Sequence, residues 1–194
     1  MQWTISIDRD KCVGCYSCVV ACKLEHNLPP YPVHPPAGNP KGPDLIRVYQ
    51  VGPQICDDEV HQYFQPILCM HCSDAPCIRA CPCSATHKDV ETGMVLVSED
   101  ECIGCKSCLS VCPYGAPEFH DGKLYLCDLC IHRLGERGQK GRYTACEAAC
   151  PARAIHVGTT DEISAMVGKK AAERAGKEKQ ELLTYIEDKH DGQA

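Results

Sequence analysis

The sequence has few aromatic residues, which limits the core that it can build. Its 194 residues include one Trp and two Phe, and aromatic residues make up 6% of the chain. Aromatic side chains normally supply much of the apolar area that a core buries, so ordinary burial would give a thin core here. The length suffices for one ordinary domain or two small ones. We therefore expect the fold to depend on more than side-chain packing.

Long apolar runs are missing as well. The longest, residues 18–22 and 94–97, are far shorter than the ~20 residues of a membrane-spanning helix. We also expect no secretory signal peptide, because Cys12 follows Met1 too closely for one to precede it. The sequence therefore predicts a protein that neither spans a membrane nor exports itself.

Positive charge is not in excess. The net charge is −6, so the sequence carries no electrostatic footprint for nucleic acid, and we exclude nucleic acid as a partner. It also lacks a glycine fingerprint that cradles phosphates and a recognisable Ser/His/Asp constellation. These absences argue against an autonomous enzyme, and we predict no catalytic residues.

Cysteine, in contrast, is abundant, with 18 residues in the chain. Such a content is typical of disulfide-stapled secreted domains or of metal proteins. A disulfide scaffold needs an oxidising compartment, which the expected lack of an export signal argues against. Metal binding also compensates for a thin core, because its free energy is largely realised as folding free energy.

Sixteen of the cysteines fall into four runs, each ending in Cys-x-x-x-Cys. Runs one and three share one spacing at an offset of 90 residues, and Gly14 and Ser17 recur as Gly104 and Ser107. Run two widens the middle gap to four residues and run four widens it to fifteen. The runs are Cys12-x-x-Cys15-x-x-Cys18-x-x-x-Cys22, then Cys69-x-x-Cys72 with Cys77-x-x-x-Cys81, then Cys102-x-x-Cys105-x-x-Cys108-x-x-x-Cys112, and Cys127-x-x-Cys130 with Cys146-x-x-x-Cys150.

This spacing is typical of a cubane iron-sulfur cluster, which needs four thiolates from different sides. Two-residue gaps let a turning loop point three sulfurs inward, and Gly14 and Gly104 permit a close approach of the backbone. In two-cluster ferredoxins the fourth cysteine, just before a proline, ligates the other cluster. Proline follows runs two to four, whereas Lys23 follows run one. Four runs therefore predict two ferredoxin-like modules, and spacing alone leaves open which runs pair.

Secondary structure is predicted only coarsely around these loops. Residues 4–8 and 93–98 alternate in polarity and predict short strands before runs one and three, and residues 155–157 predict a return strand. Residues 28–43 contain seven prolines and two glycines, which indicates a linker or a surface insertion.

The C-terminal residues 159–194 differ in composition from the rest. They begin with a Thr159-x-x-Glu162 capping box and predict a terminal helix that ends near Asp188 or Lys189. Interleaved glutamates favour a solvated helix face over an anion-docking patch for its basic residues, Lys169, Lys170, Arg174, Lys177 and Lys179.

The succession of a regular run, a run with a four-residue gap, a second regular run and a widely split run resembles the four-cluster iron-sulfur subunit of the dimethyl sulfoxide reductase superfamily of molybdopterin oxidoreductases, which includes polysulfide reductases. The resemblance covers about residues 4–157, and its most specific pieces are Cys69-Met70-His71-Cys72-Ser73-Asp74-Ala75-Pro76-Cys77 and Cys112-Pro113-Tyr114-Gly115. It implies an α+β fold of two ferredoxin-like modules, one inserted in the other, with a C-terminal helical tail.

The resemblance also implies ligand sets for four 4Fe-4S clusters. In the nested arrangement, runs one and four form the outer module and runs two and three form the inserted module. Spacing alone does not exclude a sequential pairing of run one with two and three with four. The implied sets are Cys12, Cys15, Cys18 and Cys150; Cys127, Cys130, Cys146 and Cys22; Cys69, Cys72, Cys77 and Cys112; and Cys102, Cys105, Cys108 and Cys81.

The domains and the function follow from the same resemblance. Residues 1–60 and 113–158 would form the outer module, residues 61–112 the inserted module and residues 159–194 the tail. The protein would relay single electrons between a molybdopterin or tungstopterin catalytic subunit, near the cluster of run one, and a membrane quinone-reactive subunit or soluble carrier. A hydrogenase or another reductase complex is the alternative. We expect a cytoplasmic location or one peripheral to a membrane through partners, and a periplasmic one only by export with a partner.

Other interpretations remain open for single features. The fourth run alone would also suit a four-cysteine zinc site, but three cysteines within seven residues in two runs and three Cys-Pro endings argue against zinc. Cys56 and Cys83 lie outside the runs and are interpreted as buried free thiols, with Cys83 close enough to Cys81 to act as a substitute ligand. His71 and His132 lie near ligands, and packing is favoured over a hydrogen bond to a cluster.

Overall fold

A computed structural model describes residues 2–29, 42–56, 58–134 and 143–191. Short strands and helices alternate along these residues, as the sequence predicts. The strands are β1 (Trp3–Ile7), β2 (Ile46–Cys56), β3 (Glu59–Leu68), β4 (Thr86–Lys88), β5 (Val95–Val97), β6 (Glu118–His120), β7 (Lys123–Tyr125) and β8 (Ile155–Thr159). The helices are α1 (Ser17–Glu25), α2 (Pro76–Arg79), α3 (Ser107–Val111), α4 (Ile131–Leu134), α5 (Ala145–Ala148) and α6 (Thr160–Asp191).

The strands of the described residues pair as four two-stranded antiparallel sheets. The strand before run one, β1, pairs with the strand after run four, β8, from Trp3↔Thr159 to Ile7↔Ile155. The strand after run two, β4, pairs with the strand before run three, β5. We call runs one and four with β1 and β8 the outer pair, and runs two and three with β4 and β5 the inner pair.

The two pairs repeat the same backbone geometry. Gly14 and Gly104 both have a φ of +67°. A single 3-10 turn precedes each of these loops, over Arg9–Lys11 and over Glu99–Glu101. The sequence repeat is therefore also a structural repeat, because the same turn residues impose the same loop.

Equivalent backbone hydrogen bonds close the two pairs. The N–H of Asp8 donates to the carbonyl of Ala154 at 2.7 Å, and the N–H of Ser98 donates to the carbonyl of Ala85 at 2.8 Å. Both acceptors belong to almost fully buried alanines. In each pair, the end of one run is thus tied to the start of the other.

Two hairpins were not predicted from the sequence. Strands β2 and β3 form a long ribbon with a bulge between Val51 and Gln54, and β6 and β7 form a short hairpin. The short hairpin turns through Asp121 (φ 49°) and Gly122 (φ 78°), which is a type I′ turn. An Asp-Gly pair between alternating residues is a known signal for such a hairpin.

The core is thin in side-chain area and rich in cysteine. Its buried residues are mainly small or medium aliphatic groups, such as Ile5, Ile46 and Met94, mixed with cysteines from all four runs. This composition matches the expectation that packing alone contributes little here.

The C-terminal helix α6 begins with the predicted capping box. The N–H of Thr159 donates to Glu162 Oε2 at 2.8 Å, and the N–H of Glu162 donates to Thr159 Oγ1 at 3.3 Å. The helix runs to Asp191, slightly beyond the predicted end. Two of its basic residues form ion pairs in addition to facing solvent. Lys170 pairs with Asp8 at 3.2 Å, and Arg174 pairs with Asp10 at 2.8 Å.

Most of the predicted linker, residues 30–41, lies outside the described residues. Among the helices of residues 2–29, 42–56, 58–134 and 143–191, none is long and apolar enough to cross a membrane.

Candidate metal centres

Three cavities of the described protein are lined by cysteines from two runs each. The loop of one run supplies three thiols to each cavity, and the end of the paired run supplies another. The lining cysteines are Cys12, Cys15, Cys18 and Cys150 in the first cavity, Cys69, Cys72, Cys77 and Cys112 in the second, and Cys81, Cys83, Cys102, Cys105 and Cys108 in the third.

The remaining four run cysteines also influence one another electrostatically. Burial raises the pKa of Cys22 strongly, and the neighbouring thiols of Cys146 and Cys130 raise it further. Burial likewise raises the pKa of Cys127 well above its usual value, with contributions from Cys146 and Cys22. Cys22, Cys127, Cys130 and Cys146 therefore lie near one another.

The same electrostatic effects show which sets are neighbours. Burial raises the pKa of Cys18 to about 12, and Cys146 of the next set contributes. Cys69 contributes to the raised pKa of Cys127, which links the outer pair to the inner pair. Burial raises the pKa of Cys108 to about 11, with a contribution from Cys77. The sets therefore follow one another in the order Cys12 set, Cys127 set, Cys69 set, Cys102 set.

The donor chemistry of these sets fits a cationic metal group. Burial raises the pKa of Cys69 to about 12 and that of Cys130 to about 11, so isolated thiolates would be unfavourable at neutral pH. A bound metal group reverses this preference, because coordination deprotonates a thiol. Buried, converging thiols such as these are thus suited to hold an iron-sulfur cluster.

Backbone amides donate to several of the cysteine sulfurs. The N–H of Ala154 donates to Cys150 Sγ at 3.2 Å, and the N–H of Ala116 donates to Cys112 Sγ at 3.4 Å. Each donor lies four residues after its acceptor, so the turn that follows the run supplies the bond. Such donors stabilise negative charge on sulfur and raise the potential of a bound cluster.

The β2–β3 ribbon covers the loop of run one. Its residues Val48 and Pro66 line the cavity of Cys12, and the ring of Phe64 lies where a β-carbon at Gly14 would be. The guanidinium of Arg9 lies 4.9 Å from the centroid of the Tyr63 ring. Gly14 is therefore needed both for its positive φ and for the space that Phe64 occupies.

Lys23, which replaces the proline after run one, is buried with 5% of its surface exposed. Its Nζ donates to the carbonyls of Pro29 at 3.0 Å, Gly42 at 3.3 Å and Pro43 at 2.9 Å. It also pairs with the buried carboxylate of Asp44 at 3.0 Å. Lys23 thus holds together the two described ends that flank residues 30–41, directly beside Cys22.

A polar cluster ties α1 to the beginning of the wide gap in run four. Glu25 accepts hydrogen bonds from both Arg133 and His132, and Arg133 Nη1 also donates to the carbonyl of Tyr143 at 3.1 Å. The Arg133 contact holds the pKa of Glu25 below its ordinary value. His132 therefore has Glu25 as a hydrogen-bond partner. This contact fits the interpretation of His132 as a packing residue.

His26 and Asp128 were not predicted from the sequence although they lie at the Cys127 set. His26 Nε2 lies 3.7 Å from Cys130 Sγ and 3.5 Å from Asp128 Oδ1, and Asp128 accepts the N–H of Cys130 at 2.8 Å. The sequence does contain a signal for His26, because it follows the ligand candidate Cys22 by four residues. This spacing places it one helical turn after Cys22.

His71 lies within the loop of run two, with 1% of its surface exposed. Its Nδ1 accepts the N–H of Val95 at 3.0 Å, so the neutral ring carries its proton on Nε2. Burial lowers the pKa of His71 to about 4. The neutral ring therefore fixes β5 against the loop of run two.

Two cysteines, Cys56 and Cys83, lie outside the runs. The side chain of Cys56 lies outside the described part of the structure, whereas that of Cys83 is described. Cys83 is partly exposed rather than buried, so the interpretation as a buried free thiol is wrong for this residue. It follows the end of run two closely, and it is one of the residues that line the cavity of run three.

Comparison with known proteins adds a family to this geometry. Residues 60–160 match the 4Fe-4S dicluster domain family, and residues 4–28 match a 4Fe-4S binding domain family. One chain of the anaerobic dimethyl sulfoxide reductase of Escherichia coli strain K12 is 36% identical over 173 residues, which cover 88% of this protein and 80% of the relative. One subunit of the sulfite dehydrogenase of Allochromatium vinosum is 36% identical over 186 residues, covering 90% and 76%. The hydrogenase-2 operon protein HybA of Escherichia coli O157:H7 is 34% identical over 187 residues, covering 88% and 56%.

Proposed function

This protein belongs to the iron-sulfur subunits of the dimethyl sulfoxide reductase family, and from that premise we propose that it relays single electrons through four 4Fe-4S clusters between a molybdopterin or tungstopterin catalytic subunit and a second redox partner. The family predicted from the cysteine runs is confirmed by these relatives. So is the prediction that the protein is an electron-transfer subunit with 4Fe-4S clusters rather than a catalytic subunit.

The observation that supports the proposal is that cysteines of two runs line each of three cavities, while Cys22, Cys127, Cys130 and Cys146 lie near one another. We assign one cluster to each set, with the ligands Cys12, Cys15, Cys18 and Cys150; Cys22, Cys127, Cys130 and Cys146; Cys69, Cys72, Cys77 and Cys112; and Cys81, Cys102, Cys105 and Cys108. Each set takes three ligands from one run and the fourth from its partner, as ferredoxins with two clusters do.

A nested arrangement of two modules accounts best for these sets. In it, runs one and four form the outer module, runs two and three form the inserted module and residues 159–194 form the tail. Two features support nesting over a sequential pairing. Strand β1 pairs with β8 across the whole inserted segment, and Cys150 rather than Cys81 lines the cavity of Cys12.

The protein's own residues tune and shield the redox sites. A bound 4Fe-4S cluster supplies a one-electron couple whose potential depends on hydrogen bonds, charge and exposure. The amides of Ala154 and Ala116 donate to ligand sulfurs, and the ribbon residue Phe64 shields the loop of run one. Cys15 and Cys105 are exposed, so the first and last sets of the series reach the surface where partners bind.

The partners are inferred from the relatives. A pterin-containing catalytic subunit would bind near the Cys12 set, and a membrane quinone-reactive subunit or a soluble carrier would exchange electrons at the other end. We infer a cytoplasmic location or one peripheral to a membrane through these partners, and a periplasmic one only by joint export. A hydrogenase complex is the second candidate, favoured by the similarity to a hydrogenase-2 operon protein.

Metal analysis tests the clusters. We expect anaerobically purified protein to contain about sixteen irons and about sixteen acid-labile sulfides per chain, four of each per cluster. Its visible absorbance should bleach when dithionite is added. About four zinc ions per chain without sulfide would contradict the proposal.

Co-purification tests the partner. The complex is isolated anaerobically from its native source, and the largest companion protein is identified by mass spectrometry. A companion that contains a pterin with molybdenum or tungsten supports the first candidate. A nickel-containing companion would replace it with the hydrogenase alternative.

A further inference from the structure

The cavity of run three contains one thiol more than the cluster assigned to it requires. Its lining includes Cys81, Cys102, Cys105 and Cys108, and it also includes Cys83. The Sγ atoms of Cys81 and Cys83 lie 3.7 Å apart, within the range of a sulfur hydrogen bond. Cys83 is therefore one of five cysteines that line this cavity.

The outer pair has the same backbone at this position without the thiol. Cys150-Pro151-Ala152 corresponds to Cys81-Pro82-Cys83, and each segment is followed by a residue with positive φ, Arg153 at 48° and Ser84 at 57°. Ala152 lines the cavity of Cys12 as Cys83 lines the cavity of run three. The residue at this position thus lines a cavity of run cysteines in both pairs, and only the inner pair has a sulfur-containing residue there.

We propose that Cys83 is a reserve ligand of the cluster held by Cys81, Cys102, Cys105 and Cys108, hydrogen bonded to the Cys81 sulfur and able to replace it. This inference rests on the proposed function, because it requires a cluster in this cavity. Cys81 is the resident ligand, since it corresponds to Cys150, which lines the equivalent cavity of the outer pair. Cys83 lines the same cavity and is partly exposed, and its sulfur lies 3.7 Å from that of Cys81.

The exchange needs no additional reactant. Cys83 would hold the iron in place of Cys81, so that one iron–thiolate bond would be exchanged for another. The proton of the Cys83 thiol moves to the departing Cys81 thiolate across the existing contact. The oxidation state of the iron does not change, and charge and atoms balance.

Single and double alanine variants test the exchange. We compare iron, sulfide and the electron paramagnetic resonance spectrum of anaerobically purified wild-type protein, C81A, C83A and C81A/C83A. C81A should keep the iron and sulfide content of the wild type, whereas C81A/C83A should lose up to about a quarter of its iron or contain a three-iron cluster. If C81A is depleted as much as the double variant, the proposal is overturned.

The outer pair provides the matched control. C150A has alanine at the reserve position and should lose its cluster iron, while C150A/A152C should recover it. Retention of iron by C150A would show that any fourth ligand is dispensable, and failure of the added cysteine to restore iron would show that the position is unsuitable. Either result overturns the proposal, and these variants also carry the test if C81A does not fold.

The hydrogen bond has its own readout. Removing a donor to a ligand sulfur lowers the potential of the cluster, so a redox titration of C83A should show one midpoint potential below the wild-type value and three unchanged. Four unchanged potentials would remove the contact on which the exchange depends. Wild-type protein without iron or sulfide would instead refute the proposed function, so the two failures are distinguishable.

Discussion

The outer and inner pairs have the same cluster loops but different surroundings. Gly14 and Gly104 share a φ of +67°, yet the outer glycine lies against the Phe64 ring of the β2–β3 ribbon. At the inner glycine, the nearest atom to an added β-carbon is the carbonyl oxygen of Gly122 in the β6–β7 hairpin, at 3.2 Å. The geometry of each cluster loop is therefore set by local residues. The segment that packs against the loop differs between the two pairs.

The residues after the fourth cysteine differ in the same way. The outer pair has Lys23 after run one, where it holds a buried ion pair and three carbonyls, and the inner pair has Pro113 after run three. The outer pair thus depends on the buried polar contacts of Lys23, which the proline at the equivalent inner position does not make. Variants at equivalent positions of the two pairs measure how much each of these differences contributes to stability.

The largest loss of stability is expected when the buried contacts of Lys23 are removed. In K23M, the carboxylate of Asp44 stays buried without its cation, which we expect to destabilise the protein by about 3–5 kcal/mol. The measurement is the rate at which visible absorbance is lost in guanidinium. P113A, at the equivalent inner position, should change this rate little, and equal effects of the two variants would remove the distinction between the pairs.

A smaller effect is expected from the glycines. G14A combines a strained positive φ with displacement of Phe64, about 2–4 kcal/mol in total. G104A meets the φ strain and only a mild contact, about 1–2 kcal/mol. Iron retention after dialysis against a chelator should be lower in G14A. F64A combined with G14A should recover part of the loss, and no recovery would mean that the ring does not limit this site.

The third effect concerns the link between α1 and run four. E25Q weakens the hydrogen bonds to Arg133 and His132, and we expect a loss of about 1–2 kcal/mol because charged partners strengthen such bonds. Accelerated bleaching in guanidinium is the readout. E101Q, on the exposed 3-10 turn of the inner pair, is the control, and an equally fast E101Q would show a general charge effect.

The smallest effect is expected where α6 meets the outer pair. R174A removes an exposed ion pair with Asp10, so we expect a loss below about 1 kcal/mol that disappears at high salt. The exposed Lys177 of the same helix provides the control variant K177A. A salt-independent loss in R174A would point to packing of the arginine stem rather than to charge.

Much of this protein was predictable from the sequence because its signals are local. Three cysteines within seven residues and a glycine at a fixed position impose a loop wherever they occur, so runs one and three were recognised as repeats. Thr159 and Glu162 cap a helix through their own backbone, and that prediction was confirmed. The grouping of the sixteen cysteines into cluster ligands stays a prediction.

Other features were not predicted although a signal existed. Asp121-Gly122 between alternating residues marks the β6–β7 hairpin, and two alternating segments around residue 57 mark the β2–β3 ribbon. These segments lie between the cysteine runs, so the spacing of the runs carries no information about them. His26 was not singled out, unlike His71 and His132, because it lies outside the cysteine motifs.

The amino-acid sequence by itself determined the kind of protein, since ligand type, ligand spacing and turn residues act over a few positions. The tertiary structure alone decided which distant residues share a site: Phe64 lies beside Gly14, and Asp44 lies beside Lys23. These contacts depend on how separate segments pack, and packing joins residues whose separation in sequence carries no information about their distance in space.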